Sequence, residues 1–126
     1  MSFKFQVKEN GKLLHAVARG ALSIDDVRNH FDELEKTTVL DQGYTALVDL
    51  RGVEDLMLSL DAIKSVVSRQ TASGASGILR PSRVALLVNS QPLYVAARQY
   101  EDHAHRAGMR TQVFLNEREA LIWLTY

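Results

Sequence analysis

The chain has 126 residues, 46% of them hydrophobic, no cysteine, and 15 basic side chains balanced by 15 acidic ones. That length and apolar content suit one domain over 1–126 with a single core. Disulfides, thiolate catalysis and zinc–thiolate sites are excluded, and a neutral balance argues against nucleic acid as a partner. Residues 1–63 carry 11 acidic against 7 basic groups and residues 64–126 carry 4 against 8, so the halves differ in sign. In a compact fold this reads first as two differently charged sides, with head-to-tail or antiparallel self-association as the alternative. Met1–Gln6 lacks the apolar stretch of a secretion signal, and no apolar run approaches the ~20 residues of a membrane span. A cytoplasmic protein is the expectation.

Phe3, Phe5 and Val7 alternate with Lys4, Gln6 and Lys8, the pattern of a half-exposed strand, and the lysines suit a sheet edge. Asn10-Gly11 predicts a tight hairpin turn, so the strand from Leu13 to about Ala21 returns antiparallel. Leu22-Ser23-Ile24-Asp25-Asp26-Val27 reads as a helix start: Ser23 caps, Asp26 closes a capping box, and Leu22 staples to Val27. Ile24, Val27, Phe31 and Leu34 then share one helical face. Ala46-Leu47-Val48-Asp49-Leu50 is apolar on both faces, as in a buried strand, and Arg51-Gly52 is expected to stop it. A loop to Ser59 follows. Ser59 should cap a second helix running to around Ala72, with Leu58 and Ile63 as its staple.

Ser73-Gly74-Ala75-Ser76-Gly77 reads as a breaker. Arg83–Val88 is a second strand apolar on both faces. A third helix opens at Asn89-Ser90-Gln91-Pro92; its inner face is Leu93, Ala96, Ala97, Tyr100, Ala104 and Ala107, and Gly108 stops it. Thr111–Leu115 is the last strand, and Asn116 starts a final helix docked by Leu121, Trp123 and Leu124. The order β-β-α-β-α-β-α-β-α predicts an α/β fold with right-handed crossovers between parallel strands. Such winding tends to put helices on one side. Leu47, Ala85 and Leu87, or their opposite set, would then need cover from a wrapped helix, a partner, a second copy or an acyl chain.

Leu47-Val48-Asp49-Leu50-Arg51-Gly52-Val53 followed by a capped helix resembles the corresponding segment of sulfate-transporter and anti-sigma-factor-antagonist (STAS) domains. Arg83–Val88, Tyr94-Val95-Ala96-Ala97-Arg98 and Val113–Leu124 are similar to the small stand-alone bacterial subgroup called SpoIIAA-like. The resemblance covers nearly the whole chain. It implies a βα superhelix with a mixed five-stranded sheet in the order 1-2-3-4-5, the first strand antiparallel. In antagonist members a serine at the start of the second helix, within an Asp-Ser-x-x-Gly-Leu-like segment, is phosphorylated by a kinase partner. Here Met57 and Leu58 occupy the Asp-Ser positions, no glycine follows, and Ser59 is the nearest candidate for phosphorylation. A phosphate there would meet free helix amides, although a plain N-cap explains the same serine.

The resemblance and the residues together imply a non-catalytic regulatory or interaction module with a protein partner or a second copy of itself. Its docking surface is expected at the loop and helix start carrying Arg51, Glu54, Asp55, Leu56 and Ser59. The rival expectation is a small-ligand or lipid-binding module, using an apolar sheet face or the rim at the C-terminal ends of the strands. Asp49, Arg51, Asn89 and Ser90, with Asn116 nearby, are the candidate anion or ligand residues on that rim. No glycine-rich phosphate loop, nucleophile elbow or carboxylate pair accompanies them, so neither cofactor nor catalysis is expected. His103 and His105 lie two apart on a helix and point about 200° apart, so no metal site is expected from them. His15 and His30 have no partner recognisable in the sequence.

Overall fold

The computed structural model describes residues 3–73 and 77–125, so the centre of the Ser73–Gly77 breaker lies outside the described residues. The elements are β1 (Phe3–Lys8), β2 (Leu13–Ser23), α1 (Ile24–Lys36), β3 (Thr45–Met57), α2 (Leu60–Thr71), β4 (Arg83–Leu87), α3 (Gln91–Arg106), β5 (Thr111–Phe114) and α4 (Glu117–Thr125). The strands form one sheet in the order β1-β2-β3-β4-β5. The first pair is antiparallel and the rest are parallel. The element order and the direction of β1 are those the residue patterns predict, and the strand order is the one the family resemblance implies.

The helix starts follow their local chemistry. Ser23 Oγ accepts from the Asp26 amide, and the Asp26 carboxylate accepts from the Ser23 amide at 2.9 Å, closing the capping box. Leu22 and Val27 are both buried beside it. Ser59 Oγ accepts from the Ala62 amide at 3.1 Å, and Leu58 and Ile63 pack toward the core. The hairpin differs from the expected tight turn. Lys8 pairs with Leu13, and φ is positive at Glu9, Asn10 and Gly11 (55°, 56° and 92°). A Cβ on Gly11 would lie 2.4 Å from the Val39 carbonyl, and Gly11 O accepts from the Asp41 amide at 2.9 Å. The loop is wider than a two-residue turn because it clasps the segment leading into β3.

The larger correction concerns Arg51–Ser59. Arg51-Gly52 does not end the strand: β3 continues to Met57 and pairs with the equally extended end of β2, from Arg19↔Gly52 to Ser23↔Met57. Two register shifts place extra residues in β3 there. Gly52 serves close approach, since a Cβ on it would meet Arg19 Cγ at 2.9 Å. The expected docking loop therefore shrinks to Leu58 and Ser59. Beyond Asp49, where the register with β4 ends, β3 is paired on the β2 side among the described residues.

Each central strand feeds two apolar clusters by simple alternation. Leu14, Ala46, Val84 and Leu86 point toward α1, α2 and α3, where Phe31, Val67, Leu93 and Ala97 meet them. Leu13, Leu47, Ala85 and Leu87 point the other way and are covered by Ala120 and Leu124 of α4, with Phe114 of β5 beside them. The wrapped helix is thus the cover that the two-faced strands require. A lipid reading that uses this sheet face would have to displace Ala120 and Leu124 of α4.

Candidate functional site

On the face covered by α1, α2 and α3, packing is incomplete. α1 lies on β1 and β2, α3 lies along β5, and α2 packs chiefly on α3. Beneath them is a chamber of about 130 Å³. Its floor is Leu14, Ala46, Val48, Leu50, Val84 and Leu86; its walls include Val27, Phe31 and Leu34 of α1, Ile63 and Val66 of α2, and Leu93, Ala96 and Ala97 of α3. The last turns of β3 and its exit add Leu56 and Leu58.

Four lining residues carry polar atoms: His30, Tyr44, Gln70 and Tyr100. Three of these are satisfied by the protein. Tyr44 donates to the Ile78 carbonyl at 2.7 Å, Tyr100 donates to Gln70 Oε1, and Gln70 Nε2 donates to the Leu79 carbonyl at 3.2 Å. Burial pushes both tyrosine hydroxyls well above their ordinary pKa, so both stay protonated. His30 is different. It is 7% exposed, its Nδ1 is buried, and that nitrogen has no hydrogen-bond partner among the described residues. Burial lowers its pKa to about 4, so the ring is neutral at physiological pH.

At the C-terminal ends of the strands, Arg51 binds Asp49 through two hydrogen bonds, Nε to Oδ1 at 3.0 Å and Nη2 to Oδ2 at 2.9 Å. The same Nη2 reaches Glu117 of α4 at 3.0 Å. Burial pushes the Asp49 carboxyl up, but the hydrogen bonds and charge of Arg51, with His15, outweigh it and hold Asp49 below the usual carboxylate range. Asn89 Nδ2 donates to the Arg51 carbonyl at 3.3 Å. Donor atoms of His15, Asp49 and Glu117 lie within 4.8 Å of one another, a grouping the sequence conceals because it draws on β2, β3 and α4. His15 Nε2 is buried there without a partner among the described residues. Arg51 bridges both carboxylates, leaving one net negative charge, and so ties β3 to the start of α4. Asn116 Oδ1 accepts from the Glu119 amide at 3.0 Å as the α4 cap, and Ser90 caps α3 without a side-chain bond. The rim residues therefore converge only as far as Asp49, Arg51 and Asn89.

The corner at the end of β3 has an inside and an outside. Val53 is buried, and Leu56 and Leu58 pack against the core and line the chamber. Arg51, Glu54, Asp55 and Ser59 are exposed, and beside them stand Met57 at 58% and Leu60 at 44% exposure. Leu56 thus belongs to the interior half of this corner. Met57 and Leu60 are the outward apolar residues that reading Arg51–Ser59 as a loop conceals; strand alternation through Leu56 and Leu58 would have put Met57 outside.

A crystal structure of an uncharacterized protein from the DUF3478 family, with a SpoIIAA-like fold and from Shewanella loihica PV-4, superposes with a TM-score of 0.64. It is 21% identical and the match covers 97% of this chain and 93% of that one. This chain has a SpoIIAA-like fold. The sheet order, the antiparallel first pair and the four helices agree with that architecture. No protein-family model and no curated protein matches the chain. Among the described residues, no helix of this SpoIIAA-like fold is long and apolar enough to cross a membrane.

Proposed function

We propose that the protein is a non-catalytic STAS-like module that binds a small apolar molecule in the chamber between the sheet and α1–α3. The observation that carries this reading is the chamber itself: about 130 Å³, walled by leucine, valine, isoleucine, phenylalanine and alanine. Apolar cavities of about 150 Å³ stay dry and take up benzene. The chamber is below the ~300 Å³ at which drug-sized pockets begin, so a whole lipid does not fit and a ring or a short chain does. Rim chemistry is not needed, because Asp49, Arg51 and Asn89 are engaged with one another.

Benzene added to the purified protein should raise the melting temperature and shift the methyl resonances of Leu86 and Val66. Ala97→Leu, which fills the chamber from α3, should abolish both effects. Unchanged methyl resonances in the wild-type protein would remove the reading.

A second reading is supported by the exposed Met57 and Leu60 beside Arg51, Glu54 and Asp55. In it, this corner docks a protein partner, or a second copy, and Ser59 is a site where phosphorylation would modulate docking. The two readings are compatible, since Leu56 and Leu58 line the chamber while Met57 between them faces outward. Met57→Asp and Asp55→Arg test the surface without touching the core. Each should weaken self-association in sedimentation while leaving the melting temperature unchanged. Leu56→Asp would unfold the protein and test nothing.

A further inference from the structure

We propose that β1 is the docking edge for an extended acidic peptide segment of a partner protein, which adds to the sheet as a further strand. The two edges of the sheet are finished differently. At β5 the Val113 amide donates to Glu101 Oε2 at 3.1 Å, and the Thr111 carbonyl lies 2.8 Å from His105 Nε2. Side chains of α3 therefore occupy that edge. β1 pairs with β2 alone, and every second residue of an antiparallel edge strand turns its amide and carbonyl away from its neighbour. Among the described residues no side chain or loop bonds to those outward groups of β1. One edge is closed by the protein itself and the other is left open.

Charge identifies the occupant. Lys4, Gln6 and Lys8 share one face of β1 at intervals of about 6.8 Å, and all three are exposed. Beside them is an open concavity of about 420 Å³, lined also by His15, Val17 and Arg19 of β2. Lys4 and Arg19 have no ion-pair or hydrogen-bond partner among the described residues, and Lys8 meets only the His15 ring, at 3.2 Å. Asp49, farther in on β3, is bound to Arg51. On the other face of β1, Phe3, Phe5 and Val7 are half-buried against the core. A strand laid beside β1 with acidic residues at alternate positions sets carboxylates opposite Lys4 and Lys8 and its intervening side chains beside Phe3, Phe5 and Val7. A second copy fits poorly. Paired through β1 it brings its own lysines onto the same face, and paired through β5 it presents the edge that Glu101 and His105 occupy. A nucleic acid offers phosphates to the lysines but no ladder of amides and carbonyls to match the backbone.

The paired probes are the synthetic peptide Glu-Val-Glu-Thr-Glu-Val-Glu and its isomer Glu-Glu-Glu-Glu-Val-Val-Thr, equal in charge and composition but without the alternation. Calorimetric titration of the full chain should give the alternating peptide the lower Kd by roughly tenfold, since only it can face both lysines from one side of a strand. The double variant Lys4→Glu with Lys8→Glu should raise that Kd by at least roughly tenfold, because two attractive cross-strand pairs become repulsive. Both side chains are exposed, so its melting temperature should stay that of the wild-type protein. Hydrogen exchange on the wild-type protein gives a readout that needs no variant: every second amide of β1 should become protected when the alternating peptide binds. Equal affinities for the two isomers would reduce the edge to a plain basic patch and overturn strand addition. Bound peptide with unprotected β1 amides would do the same. Tighter binding of single-stranded oligothymidylate than of the alternating peptide would assign the cations to nucleic acid. Binding of neither peptide at millimolar concentration would remove the docking edge altogether.

Discussion

On the α4 side of the sheet, Leu47, Ala85 and Leu87 meet Ala120 and Leu124 directly. On the other side, Ala46, Val84 and Leu86 face about 130 Å³ of unfilled space beneath α2 and α3. The strands supply equally apolar residues to both sides, so the difference lies in the helices. α4 follows β5 after Leu115 and Asn116, is capped by Asn116, and is tied to β3 through the Glu117–Arg51–Asp49 ion pairs. α2 packs chiefly on α3, and its Ile63 and Val66 face the chamber. Where a helix is clasped to a strand end by charge the packing closes; where it rests on another helix a void survives. Charge clasps occur on both sides, since Arg69 of α2 pairs with Asp32 and Glu35 of α1, but only on the α4 side do they tie a helix to a strand.

The largest expected effect that separates the two faces is a pH effect at His30. Its folded pKa of about 4 lies below the unfolded value, so the group favours the folded state fully above about pH 6.5. As pH falls toward 4 the unfolded chain takes up a proton that the folded chain refuses, and that contribution is lost. Between pH 7 and pH 4 the loss is roughly 3 kcal/mol on conversion of the shift. Urea titrations at both pH values should show His30→Phe losing less stability over this range than the wild-type protein, by about that amount. An equal loss in the two proteins would mean that His30 is solvated and not walled in by Phe3, Phe5 and Phe31.

A smaller effect tests the packing itself. Ala97→Leu adds volume beside the chamber and should stabilise by about 1 kcal/mol, as cavity-filling changes do. Ala120→Leu adds the same volume to the closed face, where Ala120 is fully buried, and should destabilise by about 1–3 kcal/mol through overpacking. Opposite signs from one substitution on two faces of one sheet are the signature of the asymmetry. The same sign at both positions would show that the faces are alike.

How much of this was legible in the sequence follows the range of each interaction. The helix caps at Ser23 and Ser59 and the two-faced apolar strands are written in local patterns within a few residues of one another, whereas the strand order came with the family resemblance. The far end of β3 is not. Arg51-Gly52 carries the local signs of a stop, and what overrides them is the long partner β2, with Gly52 letting Arg19 approach. The chamber was hidden for a different reason: periodicity says that Val66, Ala97 and Leu86 face inward, but not how far apart the elements carrying them stand. His30 sits on the apolar face of α1, three residues after Val27, where a polar residue is the one signal that an inner surface has a special role. His15, Asp49, Arg51 and Glu117 show no such signal, because their meeting depends on β2, β3 and α4 coming together in space.

The smallest expected effect belongs to the clasp. Arg51→Met removes both ion pairs, but the Arg51 side chain is 40% exposed, and pairs at that exposure contribute at most about 1 kcal/mol. Its pH dependence has the same direction as that of His30 but a more acidic window. Arg51 holds the Asp49 carboxyl below its ordinary range, so this contribution is present above the unfolded pKa and disappears as pH falls through the folded one. Arg51→Met should therefore flatten the acid limb below about pH 4 while leaving the pH 4–7 region, which His30 governs, as it is in the wild-type protein. If the substitution instead changed the pH 4–7 region, the two sides of the sheet would be electrostatically coupled through β3. The division between an ion-paired face and a neutral chamber would then fail.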